Sequence, residues 1–318
     1  MDTFHCRVCC GTTASGTYEA REMMFGFRTP FHYEQCAKCG TLWLTDPPGD
    51  YSEYYPQNYY SFADGNGNSK RSLRRYLRAK RDGAYFGNGG FLGRYLAKLY
   101  EESALLSVSK LGLGPDARLL DVGCGTGRLL HRISAVGFKN LAGVDPFISS
   151  DISYGNGIRI RRAHIQDLRG EKYEVVMFHH SLEHVSDPVS TLQAAVGLLV
   201  RGGRCLVRLP VVAHAWERYK TNWVQLDPPR HTWIPTEYAM KELGLSAGLV
   251  LEMVEYDSTE FQFWGSELYN RGIRLEGING WKLAREFGIR ELRSFRRRSK
   301  ELNESHTGDQ AIFQFMYA

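Results

Sequence analysis

The sequence predicts an α/β fold, a doubly wound and mostly parallel sheet preceded by a small cysteine-rich head. Three observations carry that expectation. Leu119-Leu120-Asp121-Val122 is an apolar run of the kind that fills a buried parallel strand; it meets the glycine-dense turn Gly123, Gly125 and Gly127, and helical periodicity resumes at Arg128. Further strand-like runs at 141–144, 173–178, 205–209, 250–256 and 311–316 alternate with helical patterns. Five of the seven cysteines lie before residue 40.

With 318 residues and 43% apolar composition, the chain can fill one large core or two smaller ones. A formal charge of +5, from 40 basic and 35 acidic residues, is too mild for a protein built to grip nucleic acid. No nucleic-acid partner is expected, and a small phosphate-bearing substrate fits this charge as easily. Neither a signal-peptide pattern nor an apolar run of membrane-spanning length is present, so the expectation is a cytoplasmic chain without membrane insertion.

The head covers residues 1–48. Cys6 and Cys9, with Cys36 and Cys39, form two C-x-x-C pairs; four thiolates satisfy tetrahedral zinc and leave no open position, so the sequence predicts a structural zinc ribbon. A head this small draws much of its folding energy from the metal. Cys10 is a surplus thiol able to exchange with Cys9, and His5 and His32 read as bystanders. Short strands are expected at 24–26 and 31–34. Cys124 and Cys205 read as small buried apolar residues.

Residues 49–103 read as an aromatic and basic linker with a helical lid. Basic residues from Lys70 to Arg81 read as a solvated helical face, with contact to a phosphate, a polyanion or an acidic membrane surface as the alternative, and residues 91–111 read as one helix leading into the sheet. The catalytic domain is expected over 104–318.

The glycine spacing is G-x-G-x-G, not the G-x-G-x-x-G of a dinucleotide fingerprint. Asp121 beside that turn suits a ligand carrying an amine. Asp145, at the end of the next strand, can take both ribose hydroxyls of an adenosyl group, with Pro146 and Phe147 as apolar walls. After it, turn chemistry through Gly157 makes the usual crossover helix doubtful.

These stretches resemble motif I and the succeeding motifs of the class I S-adenosylmethionine-dependent methyltransferases, over about Ala104 to Ala318. The head resembles the zinc-binding head of some bacterial members that act on sugars or other biosynthetic intermediates. The resemblance implies a Rossmann-like seven-stranded sheet, S-adenosyl-L-methionine as cofactor, and donor contacts from Asp121, Gly123, Gly125, Gly127, Asp145, Pro146 and Phe147. It implies adenine recognition at Gln166 and Asp167, where Asp167 alternatively caps a turn. Tyr59 and Tyr60, in the tyrosine-rich stretch 51–62, are donor- or substrate-pocket candidates, with interdomain packing as the alternative.

The strand at 173–178 opens into His179-His180-Ser181-Leu182-Glu183-His184-Val185, where the family resemblance implies the methyl group leaves the donor. Histidine suits proton removal near neutral pH. His180, close to the cofactor at the strand end, is a candidate base, and His184 reaches toward an acceptor as base or as pocket wall; Glu183 is able to orient a ring or to pair with Arg128. His180 and His184 lack the H-E-x-x-H pattern, and no catalytic metal is assigned. The long connection 210–235 is rich in Trp, His and Pro and is expected to wall the acceptor site, with Arg230 available for phosphate or carboxylate and His231 as base, substrate contact or loop anchor. Asp187-Pro188 starts a helix ending at Gly202-Gly203, and Thr236 caps one stopped by Gly244.

The reading is methyl transfer to a small biosynthetic acceptor, at oxygen, with a sugar or nucleotide-linked sugar first among acceptors. Two other classes stay open. One is a zinc-containing binding or regulatory protein on a methyltransferase-like scaffold, revealed by partner binding that free cofactor does not displace. The other is an NAD-dependent oxidoreductase, which needs the glycine spacing this chain lacks.

Overall fold

The computed structural model describes residues 4–55 and 73–318. The chain divides into two compact units, one of Met1–Pro56, Leu182–Gln193 and Leu209–Phe313, the other of Gln57–Ser181, Ala194–Arg208 and Gln314–Ala318. Tyr59 and Tyr60 lie outside the described residues.

The first unit opens with antiparallel β1 (Ala14–Arg21), β2 (Pro30–Cys36) and β3 (Leu42–Leu44). Alternation along β2 buries Phe31 and Tyr33. Residues 24–26, expected as a strand, form a turn instead. The cause is Glu22, whose buried carboxylate accepts the backbone N–H groups of Phe25, Gly26 and Phe27 and so holds the chain in a tight loop.

In the second unit, α1 (Leu73–Tyr85), α2 (Gly90–Leu99) and α3 (Ser103–Lys110) precede the sheet. The single helix expected over 91–111 is broken before Ser103. There the Glu102 N–H donates to the Tyr85 hydroxyl at 2.8 Å, and the Glu102 carboxylate pairs with Arg132 at 3.0 Å.

β4 (Arg118–Val122), α4 (Arg128–Ala135) and β5 (Asn140–Val144) follow, then the short pair β6 (Ile152–Ser153) and β7 (Arg159–Arg161). β8 (Tyr173–His179), α5 (Pro188–Leu198) and β9 (Leu199–Pro210) complete the parallel stack in which β7, β5, β4, β8 and β9 are neighbours. Its core is Leu105, Leu119, Leu130, Ile133, Val175 and Met177. The register sets Asp121 beside Gly143 and Met177, so the strands end together on one edge.

The chain returns to the first unit with α6 (His214–Tyr219), β10 (Trp233–Ile234), α7 (Glu237–Ser246), β11 (Leu249–Tyr256), α8 (Phe261–Asn270) and α9 (Gly280–Glu304), and closes with β12 (Gln310–Tyr317). The large sheet has the order β11-β12-β9-β8-β4-β5-β7-β6, eight strands where seven were expected. The addition is β6, an antiparallel partner of β7 standing where the crossover helix was in doubt. The small sheet has the order β1-β2-β3-β10, so a strand from far down the chain completes the head, which is not a self-contained ribbon.

Connection 210–235 is also more ordered than a loop. Trp216, Trp223 and Trp233 are fully buried, and the first two pack with Tyr33, Leu226 and Phe263 in the core of the first unit. They are interior ballast, not the open aromatic wall the sequence suggested. The helix stops shift as well. Gly244 lies inside α7, which ends before Gly248 (φ 83°), and Gly202-Gly203 lies within β9. Among the described residues no helix is long and apolar enough to cross a membrane.

Candidate active site

The glycine turn follows β4 directly. Gly123, Gly125 and Gly127 all take positive φ, 72°, 54° and 78°, a region that side chains with a Cβ enter only at a cost. A Cβ on Gly123 would lie 2.4 Å from Cβ of Ser181, and one on Gly127 would lie 2.6 Å from Cδ1 of Ile160. The turn is therefore closed from below by side chains, while Gly127 leads into α4 with its amide groups ready for a ligand.

Two carboxylates flank it. Asp145 is buried and accepts Gly125 N–H and Phe147 N–H, each at 2.8 Å, one on each oxygen. Each oxygen keeps a lone pair for a ribose hydroxyl. Asp121 is buried too, and burial, reinforced by the Asp145 charge, pushes its carboxyl up to about 8. A cationic ligand group would reverse that balance. Asp167 accepts the His164 N–H at 2.9 Å, so it does cap the turn 165–167 and keeps acceptor capacity for an amine. Phe147 is two-thirds exposed.

At the end of β8, His180 has φ 53°. Its backbone N–H donates to the Arg208 carbonyl at 2.9 Å, and Arg208 Nη1 donates to its Nε2 at 2.6 Å. An arginine has no acceptor, so the ring is held with its Nε2 lone pair occupied. Ser181 donates to the Val122 carbonyl at 2.6 Å. Neither Arg208 nor Ser181 was singled out from the sequence; Arg208 carries no motif, and the small side chain opposite Gly123 was the one available signal.

Within the first unit a second cluster forms. Glu183 is fully buried, and its Oε1 lies 3.9 Å from His231 Nε2. His231 Nδ1 donates to the Gln225 carbonyl at 2.7 Å, and His184 Nδ1 donates to the Arg230 carbonyl at 2.8 Å. Both rings thereby keep their lone pair on Nε2. Their centroids are 4.9 Å apart, and the Tyr55 hydroxyl lies 3.3 Å from His184 Nδ1. Burial, then the neighbouring His231, lowers the His184 pKa, so this ring is neutral at neutral pH.

Arg230 is not available to a ligand. Its fully buried guanidinium is bonded to Asp227 at 2.6 Å and to Glu22 at 3.0 Å, and it fixes the loop that carries His231. Burial alone would raise the Asp227 pKa, but Arg230 outweighs it and holds the carboxyl low. The anion site expected at Arg230 is thus an internal ion cluster.

In the head, Sγ of Cys6 and Cys39, and of Cys9 and Cys36, are 3.5 Å apart, and all four lie within 4.8 Å of one another. That exceeds the ~2.05 Å of a disulfide. It brackets the edge, about 3.8 Å, of a tetrahedron with ~2.3 Å zinc–sulfur bonds. Trp43 Nε1 donates to Cys6 Sγ at 3.4 Å, and Thr41 Oγ1 lies 3.1 Å from Cys39 Sγ, the outer contacts a thiolate site uses. The four cysteines fit a structural zinc. Cys10 is exposed at φ 55°, the knuckle position that Gly40 fills at φ 74° in the other pair, which separates it from the ligand set.

Residues 92–254, just over half of the chain, match the family model described as a methyltransferase domain. Over 95 residues the chain is 34% identical to a ubiquinone biosynthesis O-methyltransferase of Nitrosospira multiformis, a match covering 27% of this chain and 39% of that protein. The protein of the same name from Ruegeria pomeroyi is 32% identical over 102 residues, covering 27% and 38%. The chain spans less than two-fifths of the length of these curated relatives. Among solved structures, geranyl diphosphate C-methyltransferase from Streptomyces coelicolor A3(2) is 14% identical, with 83% of this chain and 88% of that chain covered at a TM-score of 0.45.

Proposed function

Because the chain belongs to the methyltransferase-domain family, we propose that it transfers a methyl group from S-adenosyl-L-methionine to oxygen of a small biosynthetic acceptor. The observation that carries this is the glycine turn flanked by two buried carboxylates. Three positive-φ glycines bring the backbone close to a ligand, and Asp121 offers a negative charge to an amino group where a phosphate-binding turn would offer none.

When bound, the donor supplies a methyl group already activated on sulfonium. The chain's own residues hold and orient. Asp121 takes the amino group, Asp145 the ribose hydroxyls, and Asp167 or Gln166 the adenine amine, with Pro146 and Phe147 against its ring and Tyr59 and Tyr60 as further pocket members. His180 is a positioning residue of the donor side, since Arg208 occupies its Nε2. Glu183, His184 and His231 manage the acceptor and its proton.

Two relatives named as O-methyltransferases support oxygen as the methylated atom. Sugars and nucleotide-linked sugars are the first acceptors on the strength of the cysteine head. The scaffold and NAD readings are kept as outcomes of the same test.

Calorimetry with S-adenosylmethionine, S-adenosylhomocysteine and NAD on the zinc-loaded chain decides among them. Micromolar binding of the first two, at least tenfold weaker in Asp145→Ala after loss of its charged hydrogen bonds, is expected. Binding of NAD alone, or of none of the three by a folded sample, overturns the proposal.

A further inference from the structure

Glu183, His184 and His231 combine three properties that proton handling alone does not require. One ring nitrogen from each histidine and one carboxylate oxygen from Glu183 lie within 4.8 Å of one another. Each ring is pinned through Nδ1 to a backbone carbonyl, His184 to Arg230 and His231 to Gln225. That is the outer contact by which metal-binding histidines fix their tautomer and raise the basicity of the other nitrogen. The carbonyls are themselves anchored. Gln225 Nε2 donates to the buried Asp309 at 2.7 Å, and Arg230 is held by Glu22 and Asp227. Pre-set donors on ordered backbone suit a cation better than a ring that must swing to deliver a proton.

We propose that Glu183, His184 and His231 form a second metal site, separate from the four-cysteine site, for a divalent transition-metal ion that binds an acceptor hydroxyl. Two imidazoles and one carboxylate are a borderline nitrogen–oxygen set, suited to zinc, manganese, iron(II) or cobalt(II) and poorly suited to calcium, which takes oxygen ligands alone. Three protein ligands leave open positions for the acceptor, whereas the four cysteines leave none.

The inference rests on the acceptor-site reading above and gives that site its means of managing the proton. On the cation, the acceptor O–H bond breaks, oxygen keeps the electron pair, and the proton leaves to solvent. The oxygen then bonds the methyl carbon as the carbon–sulfur bond breaks and sulfur keeps its pair.

The test uses the full chain, stripped with a chelator and titrated with cobalt(II). Four-cysteine cobalt shows sulfur-to-metal charge-transfer bands; a histidine–carboxylate site shows only weak ligand-field bands. We expect cobalt beyond the thiolate-banded equivalent in the native chain. In Glu183→Gln and His231→Gln that further equivalent should bind roughly tenfold to a hundredfold more weakly, with the charge-transfer bands intact as a check on folding. If the native chain stops at the thiolate-banded cobalt, or both variants hold the further equivalent unchanged, the proposal is overturned. S-adenosylmethionine calorimetry on the same samples separates the two readings: absent donor binding removes the methyltransferase reading and leaves the cobalt result standing, and the converse holds.

Discussion

Asp121 is a carboxylate whose chemistry is strongly altered by its place. Its folded pKa, about 8, lies above the ordinary carboxylate value of 3.8, so the folded chain retains a proton that the unfolded chain gives up. Stability from this group is full below pH 4 and is lost as pH rises toward 8. A donor amino group stabilises the charged form, so donor binding at pH 7 expels that proton. Calorimetry in buffers of different ionisation enthalpy should register proton release in the native chain and none in Asp121→Asn, whose unliganded stability should also vary less between pH 4 and 8. Asp121, Asp145 and the glycines could be picked out as candidates because strand, turn and acid are contiguous or a fixed step apart, and the structure places them around one turn. It misassigned Arg230, because a guanidinium in a Trp-rich connection reads as a ligand anchor. Only the fold brings Glu22, 208 residues away, to its side.

Among the elements, the β4–α4 turn tolerates little substitution. Gly123→Ala combines a left-handed conformation, worth about 1–2 kcal/mol, with a clash against Ser181 worth about 1–3 kcal/mol. A lowered denaturation midpoint and loss of donor binding should follow together. The 220–235 connection is fixed differently. Arg230→Met leaves the fully buried Glu22 and the partly buried Asp227 without their partner, a loss of about 3–5 kcal/mol that a urea midpoint would report. Asp227 has a folded pKa below the ordinary value, so its contribution is present above that value and fades as pH falls through the folded one; Arg230→Met should flatten that acid limb. Helix and strand order were largely legible because their periods are local. The ends were less so: Gly244 reads as a stop, yet α7 runs on to Ser246 because its buried side, Met240 and Leu243, outweighs the cost of one glycine.

Over the whole molecule, the glycine turn with Asp121 and Asp145 belongs to one unit and Glu183, His184 and His231 to the other, so on the proposed reading substitutions should separate donor from acceptor effects. His231→Asn should abolish turnover and leave the donor Kd unchanged, while Asp145→Ala should weaken the donor and leave metal content unchanged. The head has its own readout. In zinc-loaded protein a thiol reagent should reach the exposed Cys10 quickly, and after chelation Cys6, Cys9, Cys36 and Cys39 should become reactive as well. The paired cysteines were plain in the sequence, but what they are joined to was not. Two residues, Trp233 and Ile234, pair with Trp43 and Leu42, with the indoles of Trp43 and Trp233 stacked at 5.7 Å. The head is consequently no cassette. A chimera that exchanged residues 1–48 alone would strip β10 of its neighbour and bare a tryptophan beside an open strand edge, a template for aggregation. Grafting therefore has to carry the 210–235 connection along with the cysteines.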